Sequence, residues 1–103
     1  MKTFAENLSV LPTIDGLTAL QLQDANGAIQ AMIENKPGTQ GSFRVYHYVA
    51  NKWGSLGSVA AREALEIFAE HTEDAKHNPG KHPNIDRLLD IVDKDLRYMV
   101  LAS

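Results

Sequence analysis

The sequence predicts an α+β fold: a small antiparallel sheet, made of an N-terminal hairpin and a C-terminal strand, packed against about three helices. Three observations carry this prediction. Asn26-Gly27 sits between two short alternating segments, the strongest short-range signal for a hairpin. Ser58 to about Lys76 repeats its apolar side chains at helical spacing. Leu96 to Ala102 is nearly apolar throughout, as suits a strand covered on one face and paired at its edges. With no repeat, linker or low-complexity segment between them, a single domain over residues 1–103 is expected.

Taken in order, Thr3 and Glu6 have the spacing of a capping box, which starts a short helix from about Phe4 to Leu8, ended before Pro12. Thr18 to Asp24 alternates Leu20 and Leu22 with glutamines, the pattern of a half-buried strand. If Asn26 and Gly27 form a two-residue loop with positive φ, Leu22 faces Ala31 and Leu20 faces Ile33, so both strands present one apolar face. Glu34 to Ser42 is a loop by its proline and two glycines.

Phe43 to Trp53 reads two ways. Its aromatic and β-branched residues favour a strand with Phe43, Val45, His47 and Val49 on one face. Ser42 as N-cap, Gly54 past the end and the length favour a helix, with Phe43, Tyr46, Ala50 and Trp53 inward. Helix is the expected reading and strand its alternative. Ser58 then caps one helix to about Lys76, with Ala61, Ala64, Leu65, Phe68, Thr72 and Ala75 inward. A last helix carries Ile85, Leu88, Leu89 and Val92.

Composition removes several classes of function. There is no cysteine, hence no disulfide, no thiolate zinc site and no thiol nucleophile, which favours the cytoplasm. The formal charge of −3 gives no basic footprint for nucleic acid. Glu6, Asn7 and Ser9 interrupt the N-terminal apolar residues, so no signal peptide is expected. No apolar run nears the roughly 18 residues of a spanning helix, so no membrane role is expected either.

Three strings are distinctive: Gly41-Ser-Phe-Arg-Val-Tyr-His-Tyr48, Phe68-Ala-Glu-His-Thr-Glu-Asp-Ala75, and Pro79-Gly-Lys-His-Pro-Asn-Ile-Asp-Arg-Leu88. Over nearly its whole length the chain resembles a family of short bacterial proteins catalogued as a domain of unknown function. The resemblance implies a bacterial, cytoplasmic, stand-alone protein. It carries over no activity and no functional residue.

The stretch Glu70 to Asp86 holds three of the four histidines. His71, His77 and His82 have spacings that a metal can use, with Glu70, Glu73, Asp74 and Asp86 nearby. Lys76 and Lys81 would repel a cation, and no helical HExxH pair is present. Alternatively Lys76 to His82 leads into a helix N-terminus that can attract phosphate or carboxylate, although Asp86 can answer that positive end itself and His82 or Asn84 can cap it. The loop Lys36 to Ser42 offers a second such start. Glu70, Glu73 and Asp74 would lie at the C-terminal end of the long helix, each costing about 0.3–1 kcal/mol unless Lys76, Lys81 or Arg87 folds back.

Among aromatic residues, Arg44 with Tyr46 and Tyr48 has the composition of an interface, and the closing strand could pair with a twin if it lies at a sheet edge. The expected function is therefore non-enzymatic binding of a protein partner or of a second copy. The alternative is a small anionic-ligand or metal-binding protein, or a minor enzyme, using His71, His77, Lys81, His82 and Asp86. No catalytic residue, metal ligand set or cofactor is assigned.

Overall fold

A computed structural model describes residues 2–12, 14 and 16–103. The order is α1 (Phe4–Ser9), β1 (Ala19–Gln23), β2 (Ile29–Glu34), α2 (Gln40–Trp53), α3 (Ser58–Phe68), α4 (Glu70–His77), α5 (Pro83–Lys94) and β3 (Met99–Ala102). The three strands form one antiparallel sheet in the order β2-β1-β3, so the fold is α+β as expected. No helix among the described residues is long and apolar enough to cross a membrane.

The capping box forms as read: the Glu6 amide donates to Thr3 Oγ1 at 3.2 Å, and the Thr3 amide donates to Glu6 Oε1 at 3.1 Å. The strand register is also as expected, with Leu20 opposite Ile33 and Leu22 opposite Ala31. The turn is different. Only Gly27 has positive φ, at 82°, and the register shifts between Leu22 and Gln23. Asp24 is the cause, since its Oδ1 accepts the amides of Asn26 and Ala28 at 2.9 and 3.0 Å. That Asx-type closure widens the loop and inserts a bulge.

Residues 43–53 are helical. The helix starts earlier than Ser42 would cap it, because the Gln40 amide already bonds Lys36 oxygen at 2.8 Å and Thr39 occupies the N-cap position. Gly54 ends it in the left-handed conformation, φ 82°. Phe43, Val45, Tyr46, Val49 and Ala50 are buried, whereas Trp53 is 48% exposed. Trp53 lies on the inward stripe by angle, but at the last residue the stripe runs off the core. Its indole donates to Glu63 instead. Tyr46 is fully buried, so it lends nothing to an interface of Arg44, Tyr46 and Tyr48.

The helix expected over 58–76 is two helices. Ala69 breaks it with φ 50° and ψ −115°, a conformation that costs a non-glycine residue about 1–2 kcal/mol. Distant groups stabilise the break. Thr72 Oγ1 donates to the Leu65 carbonyl at 2.6 Å, and Asn7 Nδ2 donates to the Ile67 carbonyl at 3.0 Å. Consequently Glu70 and Glu73 sit in the first turn of α4, where the dipole favours them, rather than at a C-terminus.

The buried residues form one cluster. Leu20, Leu22 and Ile33 from the sheet meet Phe43, Tyr46 and Val49 of α2, Phe68 of α3 and Leu88 and Ile91 of α5. Ala60, Ala61 and Ala64 let α3 pack closely against both α2 and α5. Each large side chain so buried contributes about 1.5–3 kcal/mol.

Candidate functional site

The N-termini of α2 and α5 open onto the same cleft, of about 630 Å³. Its floor is apolar: Phe4, Leu8, Phe68 and Ile85. The Phe4 and Phe68 rings stack at 5.1 Å between centroids, and the His71 ring meets Phe4 edge-on at the same distance. Gly41 makes room for this, since a Cβ there would lie 3.1 Å from the Phe4 ring. Phe4 is further fixed by its amide, which donates to Glu70 Oε1 at 2.8 Å and holds that carboxylate below its ordinary pKa.

Polar groups line the rest. From α2 come Gly41 and Ser42, whose amides have no hydrogen-bond partner among the described residues. From α5 comes Asn84, positioned from behind: its carbonyl accepts the buried Tyr46 hydroxyl, and its Oδ1 accepts Arg87 Nη1 at 2.9 Å. Arg87 also donates to the Tyr46 oxygen at 3.2 Å. Burial pushes the Tyr46 phenol up to about 12, so it stays a neutral donor.

His71, Lys81 and His82 complete the rim. His82 Nε2 lies 2.6 Å from Asp74 Oδ2, Lys81 Nζ lies 3.0 Å from the same oxygen, and Asn78 Nδ2 donates to Oδ1 at 3.0 Å. The bonds from His82 and then Lys81 bring the Asp74 carboxyl down from its ordinary 3.8 to about 2.

The structure thus brings three of the five sequence-predicted residues, His71, Lys81 and His82, to one cleft. His77 is exposed at the end of α4, outside it. Asp86 also lies outside; its Oδ2 accepts the Gly80 amide at 2.9 Å and closes the loop before α5. Lys81 folds back on Asp74 and Lys76 on Glu73, while Arg87 turns to Asn84 and Tyr46. Among the described residues no group of three His, Asp or Glu side chains is placed to hold a metal ion. Phe4, Phe68 and Asn84 were not among the site residues read from sequence; Gly41 and Ser42 were read only as the end of a second anion-attracting loop, and Asp74 only as a carboxylate near the histidines. The glycine-rich loop before α2 was the one local signal; the meeting of α1, α2, α4 and α5 is tertiary.

A family model described as "uncharacterized protein conserved in bacteria" (DUF2322) matches residues 4–102. The chain belongs to this family. The match spans every residue of the cleft and all three strands. No curated protein and no solved structure matches the chain.

Proposed function

We propose that this family member is a non-enzymatic binding protein whose cleft takes a small ligand with an anionic group and an apolar body. The observation that supports this is the convergence of two helix starts, separated by more than forty residues of chain, over one aromatic floor. Helix N-termini attract anions through unpartnered amides and the dipole. An apolar cavity with a few fixed polar groups is the usual form of a small-molecule site. The apolar body would lie on Phe4, Phe68 and Ile85, and the anionic group would face Gly41, Ser42 and Asn84, with His71 and Lys81 at the rim.

The test is thermal unfolding with phenyl phosphate, benzoate and inorganic phosphate. A ligand at ten times its Kd stabilises by about 1.4 kcal/mol, a rise in Tm of about 6–11 °C for a domain near this size. The double variant His71→Ala, Lys81→Ala should lose most of the rise, while His77→Ala should keep it. No rise with any of the three compounds in the unsubstituted protein would sink the proposal.

A second reading, association with a protein partner or a second copy, is favoured by a different surface. Met32, Met99 and Leu101 are 56, 50 and 47% exposed, and their strand neighbours on the outer face are the uncharged Gln21 and Gln23. Large apolar side chains gathered on one open face are a mark of interaction surfaces.

A further inference from the structure

We infer that Asn84 sets the ligand class of the cleft: Arg87 and Tyr46 lock its carboxamide as a hydrogen-bond donor, so the site takes an oxyanion and rejects an amine. This deepens the cleft reading and rests on it. Asn84 and Arg87 are neighbours on one face of α5, a turn apart, and Tyr46 reaches both from α2. The two helices whose starts frame the cleft therefore also fix this contact.

The orientation of the carboxamide follows from which groups can donate. A guanidinium has five N–H donors and no acceptor, so the Asn84 atom 2.9 Å from Arg87 Nη1 is its oxygen, Oδ1. The guanidinium is held in turn. Its Nη1 also donates to the Tyr46 oxygen at 3.2 Å, and its Cζ lies 5.9 Å from the centre of the Tyr46 ring. The Tyr46 hydroxyl gives its own proton to the Asn84 carbonyl, which leaves that oxygen free to accept from Arg87. Turning the amide over would set Nδ2 against Arg87, donor against donor. Nδ2 is thus the end left over in a residue that lines the cleft, and it has no partner among the described residues.

Charge points the same way. Among the described residues no Asp or Glu lines the cleft, in a chain of formal charge −3. Lys81 and His82, at the rim, share Asp74. Arg87 has no such partner: among the described residues its side chain donates to neutral oxygens alone, so its charge is unanswered behind Asn84. An amide oxygen held on a cation polarises its own NH2 group and strengthens it as a donor. An oxyanion meets that donor already aimed, whereas an ammonium would meet N–H against N–H.

Calorimetric titration at neutral pH with two probes, phenyl phosphate and benzylamine, tests this. The unsubstituted protein should bind the phosphate and not the amine; binding of both overturns the inference. Arg87→Met should weaken phenyl phosphate by about tenfold, the worth of one hydrogen bond to a charged group, and Arg87→Lys should restore most of the affinity. In an Asn84→Ala background Arg87→Met should cost nothing further, because the arginine acts through the carboxamide. An equal loss in both backgrounds overturns that coupling. Asn84→Asp, which still offers Arg87 an acceptor, should reverse the preference between the probes. If Arg87→Met does not fold, the Asn84 variants decide: unchanged phosphate affinity in Asn84→Ala, or no reversal in Asn84→Asp, overturns the donor role and leaves the cleft standing. An unsubstituted protein that binds no phenyl phosphate overturns the cleft reading and this inference with it.

Discussion

Two helices begin at the cleft, and they begin differently. The segment leading into α5 is rich in ionisable side chains, and it spends them on itself: Asp86 takes the Gly80 amide, while Asp74 takes His82, Lys81 and Asn78. The segment leading into α2, Lys36-Pro-Gly-Thr-Gln-Gly-Ser42, is chemically plain. Its first turn has no carboxylate, and the Thr39 hydroxyl is turned away to the Glu34 carbonyl. The plain start therefore leaves the Gly41 and Ser42 amides available, and the ornate one is largely satisfied. Availability follows from which groups are left over after folding, not from how many a segment carries.

The largest effect breaks both starts together. Phe68 is 3% exposed and its ring supports Phe4. Phe68→Ala should cost about 3–5 kcal/mol and remove the floor shared by α2 and α5. Chemical denaturation measures the loss, and a cost below about 1 kcal/mol would mean that Phe4 alone carries the floor. The next effect bears on the α5 side only. Because the folded Asp74 titrates near 2 rather than 3.8, its contribution is present above pH about 4 and is lost as the pH falls toward 2. Asp74→Asn should be less stable than the unsubstituted protein at pH 6, and the gap should close by pH 2. Parallel acid-unfolding curves for the two proteins would show that the carboxylate does not hold this loop.

Much of this was legible in the sequence, and the limits have physical causes. The capping box at Thr3, the facing of Leu20 with Ile33 and the glycine stop of α2 depend on neighbours in sequence or across one turn, so pattern alone finds them. The break at Ala69 does not. It is fixed by Thr72 and by Asn7, the second of which lies 60 residues from its acceptor. Reading 58–76 as one helix also misplaced Glu70 and Glu73, turning a favourable end into an unfavourable one. In the candidate site, spacing flagged the histidines. It did not reveal that Asp74 would reach His82 across the α4–α5 turn, or that Phe4 would arrive from the other end of the chain.

The smallest effect sharpens the comparison most, because stability and binding should move in opposite directions. Ser42 is in the first turn of α2, at a positive end that no carboxylate there answers. Ser42→Asp gives α2 what α5 already has in Asp86. A carboxylate in the first turn of an exposed helix is worth about 0.3–1 kcal/mol, so the unliganded variant should melt a few degrees higher. The same carboxylate would occupy the amides proposed for the ligand and repel an anion. The rise in Tm given by phenyl phosphate should therefore disappear in the more stable protein. A variant that gains stability and keeps the phosphate response would show that the anion is held on the α5 side, by Asn84 and Lys81, and that the start of α2 is not the open one. A variant that loses stability would show instead that the Ser42 environment is already negative, and the contrast between the two helix starts would fail at its first premise.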